Sequence, residues 1–143
     1  MRSHHICRRD FLRLCALTSL GLGAGIGSLC KSTASRAFSR LIEAGNCVIC
    51  SLLVGGPALI DRAAGELAAK HFLPHHAVIF RTIVKMRQRG HPVDFITLTQ
   101  KLRDNNELER VGGASGLTEI FVCLPDAADY PYYAEVLKEA AKL

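Results

Sequence analysis

The chain has 143 residues, room for one domain of ordinary size, and 49% of them are hydrophobic, enough to form a real core. All of its formal net charge of +5 lies ahead of residue 39: Arg2, Arg8, Arg9, Arg13, Lys31 and Arg36 stand against Asp10 alone, while residues 39–143 hold 12 basic and 12 acidic side chains. A body of zero net charge lacks the electrostatic footprint of a surface that neutralises many phosphates, which argues against autonomous DNA binding.

Residues 1–38 differ in kind from the rest. A basic start precedes Leu14 to Cys30, a stretch with no charged residue, and small residues follow around Ser35 to Ala37. That is the layout of an export signal, and Arg8 to Leu14 (R-R-D-F-L-R-L) resembles a twin-arginine one. Gly21, Gly23, Gly25 and Gly27 weaken a membrane-spanning reading, because glycine destabilises an isolated helix. Three readings stay open: an export signal, a disordered leader, or a start that is not native. Export predicts a chain shortened near Arg36 or Ala37. Gly25 to Ser32 has the outline of a phosphate loop, but Cys30 stands where the second glycine must wrap the phosphates and no β-branched strand precedes it, so the match is read as chance.

From Ser39 on, the apolar spacing is helical nearly throughout. Ser39 is expected to cap a helix running to about Val54, with Val48, Ile49, Leu52 and Leu53 on its apolar side. Gly55-Gly56 break it, and Pro57 suits the first position of a second helix reaching about Ala69 with Leu59, Ile60, Ala63 and Leu67 inward. Phe72 and Leu73 should plug the core. A third helix spans 75–89, with Ile79, Phe80, Ile83 and Val84 in one stripe, and Gly90 and Pro92 stop it. Asp94 is placed as the cap of a fourth helix to residue 104, with Thr97 as a competing start; Asn105-Asn106 tolerate the left-handed geometry that ends it. Leu108 and Val111 should fold back onto the core. Gly112-Gly113 then allow a tight turn into a helix that buries Leu117, Ile120, Phe121 and Leu124. Asp129 or Tyr130, with Pro131, starts the last helix, whose stripe is Tyr133, Val136 and Leu137. The sum is an all-α bundle of about six short helices with short connections, preceded by the separate segment 1–38.

No chemistry stands out. Cys47 and Cys50 form a C-x-x-C, but both lie mid-helix among apolar residues, where a redox pair would need a strand before it. With Cys7, Cys15, Cys30 and Cys123 scattered, the six cysteines read as reduced and intracellular. His71, His75 and His76 lack the spacing of a zinc set and read as residues near a helix start. Asp94 reads as a cap and not as a catalytic carboxylate. Arg81, Lys85, Arg87 and Arg89 read as a solvated basic face. Tyr130, Tyr132 and Tyr133 are more aromatic surface than a small core needs. With Val136, Leu137, Arg87 and Arg89 they are the candidate interface. No catalytic, cofactor-binding or metal-ligating residue is assigned.

Three strings in order carry a resemblance: H-x-x-I-F-x-x-I at His76 to Ile83, G-H-P-V-D-F-I-T-L at Gly90 to Leu98, and E-L-E-R-V-G-G at Glu107 to Gly113. It extends back to Glu43 and forward through Tyr130 to Ala141. Together they resemble the N-terminal domain of bacterial replicative DNA helicases of the DnaB type. The resemblance implies a globular head that makes subunit contacts in a hexamer's collar and docks primase, touching DNA only indirectly and residing in the cytoplasm. The ATPase domain, with its ATP and magnesium, has no counterpart in these residues. The resemblance thus implies a binding module for DNA replication and not an enzyme. Two other readings are kept, a small exported helical protein and a small helix-turn-helix DNA-binding protein.

Overall fold

The computed structural model describes residues 29–122 and 129–142, with side chains from Ser35 onward. The predicted export string, the phosphate-loop outline, Cys7, Cys15, Cys123 and Leu124 lie outside the described residues. The chain divides into two units, Met1–Ala34 and Ser35–Leu143. In the first, residues 29–34 are helical. All that follows concerns the second.

Five α-helices and two 3-10 turns account for its regular structure, with no strand among the described residues. α1 spans Leu29–Glu66, α2 Pro74–Gln88, α3 Phe95–Asp104, α4 Gly113–Val122 and α5 Tyr130–Ala140. The 3-10 turns are Ala69–His71 and Glu109–Val111. α1 bends at Gly56, whose φ of 73° and ψ of −168° are non-helical, and Pro57 opens the second arm. The two arms correspond to the first two predicted helices. Ser39, however, is no cap: the helix already runs from Leu29. A cap must mark the entry of a non-helical chain, and residues 31–38 contain nothing that breaks a helix. The second arm ends at Glu66, three residues sooner than expected, and hands over to the 3-10 turn.

α2 sits at the centre and packs against both 3-10 turns and α3. Val78, Ile79, Phe80, Ile83 and Met86 give it a buried stripe at helical spacing. They meet Val48, Ile49 and Leu52 of α1, Ile60, Ala63 and Leu67 beyond the bend, and Leu98, Leu102, Leu117, Ile120 and Leu137 from the later helices, in one core. Each fully buried Leu or Ile contributes about 1.5–3 kcal/mol relative to exposure. Phe72 joins this core and stacks on Phe80, ring centroids 4.7 Å apart, whereas Leu73 is half-buried. The buried hydroxyls of Ser51 and Thr82 donate to the carbonyls of Cys47 and Val78 one turn back, at 2.8 and 2.9 Å.

The helix ends follow the local chemistry. After α2, Gly90 takes φ 70°; its N–H donates to Arg87 O, and the His91 N–H donates to Met86 O, each at 3.0 Å. After α3 the same pair of bonds recurs around Asn106 (φ 56°), from Asn106 N to Arg103 O at 3.0 Å and from Glu107 N to Leu102 O at 2.9 Å. Both closures satisfy carbonyls that a helix end leaves without partners. At the start of α3, Asp94 accepts from the Thr97 N–H at 2.9 Å while the Asp94 N–H donates to Thr97 Oγ1 at 3.0 Å. The two expected caps are thus the two halves of one reciprocal box.

Candidate interaction surface

α5 separates the predicted interface residues by the helical period. Tyr130, Tyr133 and Leu137 turn inward and are core residues, so they cannot themselves meet a partner on the folded head; this corrects their reading as contact residues. Three tyrosines in four residues looked excessive for a small core, yet a helix of this pitch carries two of them inside. Tyr132 is 56% exposed, and its ring stands edge-on to Tyr133 with centroids 5.2 Å apart. Val136 is half-buried. It lines an open groove of about 320 Å³ with Ala37, Arg40, Leu41, Glu139 and Ala140. Apolar walls thus lie between one basic and one acidic rim residue. Phe38, next to Ala37 in sequence, is 55% exposed.

Charged residues fix the inner side of α5 to the second arm of α1. Arg62 lies over the Tyr130 ring at 5.6 Å and bonds Glu66 at 2.8 Å. Lys138 reaches Glu135 at 2.9 Å and Glu66 at 4.0 Å. Burial pushes the Tyr130 phenol up to about 12, and the Glu66 carboxylate adds to the shift. Tyr130 therefore stays neutral and serves packing.

Arg87 and Arg89 fall elsewhere. Arg87 grips Asp61 through two bonds, Nε to Oδ1 at 2.9 Å and Nη2 to Oδ2 at 2.7 Å, and so ties α2 to the second arm of α1. That hydrogen bonding holds the Asp61 carboxyl below its usual range. Arg89 is exposed at the end of α2.

Cys47 and Cys50 are both buried in the core, and Cys50 Sγ donates to Ile120 O at 2.9 Å. His75 and His76 do occupy the first turn of α2, as expected, but sequence reasoning missed what His76 does. It is fully buried, and its Nε2 bonds Asn46 Oδ1 at 2.6 Å. Gly45 lies against the ring, where a Cβ would collide with Nδ1. A Gly-Asn pair in an otherwise apolar helix was the available signal. Burial, with His75 second, pulls the His76 pKa down to about 3, so the ring is neutral. Among the described residues, no group of three or more His, Cys, Asp or Glu side chains could hold a metal ion.

Comparison with known proteins bears on these features together. The family model described as DnaB-like helicase N terminal domain matches residues 38–139. The replicative DNA helicase DnaB of Geobacillus stearothermophilus is 31% identical over 102 residues, which are 71% of this chain and 22% of that protein. The replicative DNA helicase DnaC of Bacillus subtilis (strain 168) is 34% identical over 94 residues, 62% of this chain and 21% of that protein. The chain thus spans about a fifth of the curated relatives it matches. Among solved structures, the N-terminal domain of DnaB helicase from Mycobacterium tuberculosis superposes with a TM-score of 0.64 at 29% identity, covering 70% of this chain and 72% of that one.

Proposed function

Because the chain belongs to the family of DnaB-like helicase N-terminal domains, we propose that it is a protein-interaction module of the replicative helicase, making subunit contacts in the collar and docking primase. The observation that carries this reading is the outer side of α5. Tyr132 projects from a helix whose inner face is locked, beside an open apolar groove between Arg40 and Glu139. Exposed aromatics on a rigid support are enriched among the residues that dominate interfaces. The basic and acidic residues of the body balance, so encounters rest on shape and apolar contact more than on long-range attraction. No set of side chains with catalytic geometry is assembled here, and ATP turnover with magnesium is assigned to the part of the relatives that this chain does not span. The place of action is the cytoplasm, where replication proceeds.

The test is a pull-down of the full chain with primase and full-length helicase from the same organism, beside an ATPase assay of the chain alone. Capture of either partner, lost on Tyr132→Ala, supports the reading. Capture of neither, or ATP turnover by the purified chain, overturns it.

A further inference from the structure

A second surface, on the outer side of α2, has no part in the reading above. Arg81 and Lys85 are both exposed, at a four-residue step, and Arg89 continues the row one turn later. From Arg81 to Arg89 the row runs about 12 Å along the helix axis. Of the cations on this half of α2, Arg87 alone has a carboxylate at ion-pair distance among the described residues. Arg81 and Lys85 also wall an open slot of about 250 Å³, whose other lining residues are Ala64, Leu67, Phe80 and Val84. The slot's floor is rigid, since Leu67 and Phe80 belong to the core and Phe80 is stacked on Phe72. Asp61, the carboxylate one turn from Ala64 on the facing helix, is already held by Arg87.

We propose that this slot docks an acidic amphipathic helical segment of another protein, which inserts an apolar side chain between Arg81 and Lys85 and sets its carboxylates against Arg81, Lys85 and Arg89. The charge row fixes the sign of the partner, and the slot fixes its amphipathic character. Carboxylates spaced every four residues along a helix match the row turn for turn. A nucleic-acid backbone is the poorer fit. It would pair with the cations but offers nothing apolar to fill the slot, and the body as a whole carries no net positive charge.

The probe is a fluorescein-labelled amphipathic peptide helix with leucines on one face and glutamates flanking them, titrated with the full chain by fluorescence anisotropy. Arg81→Glu with Lys85→Glu, both exposed, should weaken binding by at least about tenfold, and replacing the peptide's glutamates with glutamines should do the same. Raised salt should lower the affinity for the native peptide and leave the glutamine peptide unaffected. Arg103→Glu, an exposed charge on α3, is the control and should bind like the native chain. Far-UV circular dichroism establishes that each variant is folded. The proposal is overturned by absence of binding, by equal binding of a scrambled peptide or of the doubly substituted chain, or by preference for a DNA duplex over the peptide.

Discussion

His76 Nε2 donates to Asn46 Oδ1 across 2.6 Å, joining the first turn of α2 to the middle of α1. The two residues are thirty positions apart, and the bond holds an imidazole in the core in its neutral form. Its folded pKa, about 3, lies below the ordinary 6.5, chiefly through burial. Between those values the unfolded chain binds a proton that the folded chain refuses. Stability therefore rises with pH across that window and falls as acid is added. Chemical denaturation from pH 7 to pH 4 should show a loss approaching about 1.4 kcal/mol per pH unit below 6, with the slope removed in His76→Gln. An identical slope in that variant would assign the acid sensitivity to other groups.

Gly45 tests the same contact from the other side. Gly45→Ala would raise helix propensity, worth about 1 kcal/mol on an exposed helix. Here the added methyl meets the His76 ring. The expected net result is destabilisation of about 1–3 kcal/mol, by overpacking. In a His76→Ala background the same substitution should cost less or become favourable, so a double-mutant cycle read by urea unfolding measures the clash directly.

Tyr130 and Tyr132, two residues apart, should respond in opposite ways. Tyr130→Ala empties a fully enclosed site and should cost about 3–5 kcal/mol of stability. Tyr132→Ala removes an exposed ring and should leave the melting temperature nearly unchanged while weakening capture of helicase or primase. Thermal melts and pull-downs on the two variants check this; a large loss of stability in Tyr132→Ala would place that ring in the core.

At the start of α3, Asp94→Ala should release the Thr97 amide, which hydrogen exchange would report as faster exchange at the first turn. Asp94→Asn keeps an acceptor oxygen and should retain most of the protection. The Asp94 carboxyl is held below the usual range, first by the Thr97 N–H, so the cap's contribution is complete above the ordinary carboxylate pKa and fades as pH falls through the lower folded value.

Much of the fold was legible because it is written locally. The stripe Ile79, Phe80, Ile83, the left-handed positions Gly90 and Asn106, and the Asp94 cap each follow from residues within a turn or two of one another. What was missed is of longer range or subtler sign. Ser39 looked like a helix start because caps favour serine, but serine is also tolerated inside a helix whose flanks continue. Tyr130 and Tyr133 looked like surface because aromatics crowd there. Their spacing of three was the sign that both turn inward, and Tyr132 alone was left outside. His76 could not be placed by periodicity, since its meaning lies in Asn46 and Gly45 on another helix. Asp61 and Arg87, likewise, are two ordinary surface charges until the chain brings them face to face.

The bend at Gly56 gives that last pair its geometry. Because the chain turns at a φ of 73°, which side chains strongly disfavour, one missing Cβ aims the whole arm from Pro57 to Glu66, a lever about 15 Å long. A small angular error at its fulcrum would be magnified at the far tip, where Glu66 meets Arg62 and Lys138, and would pull Asp61 out of the Arg87 fork on the way. The steering of one entire flank of the molecule thus hangs on a residue that touches nothing.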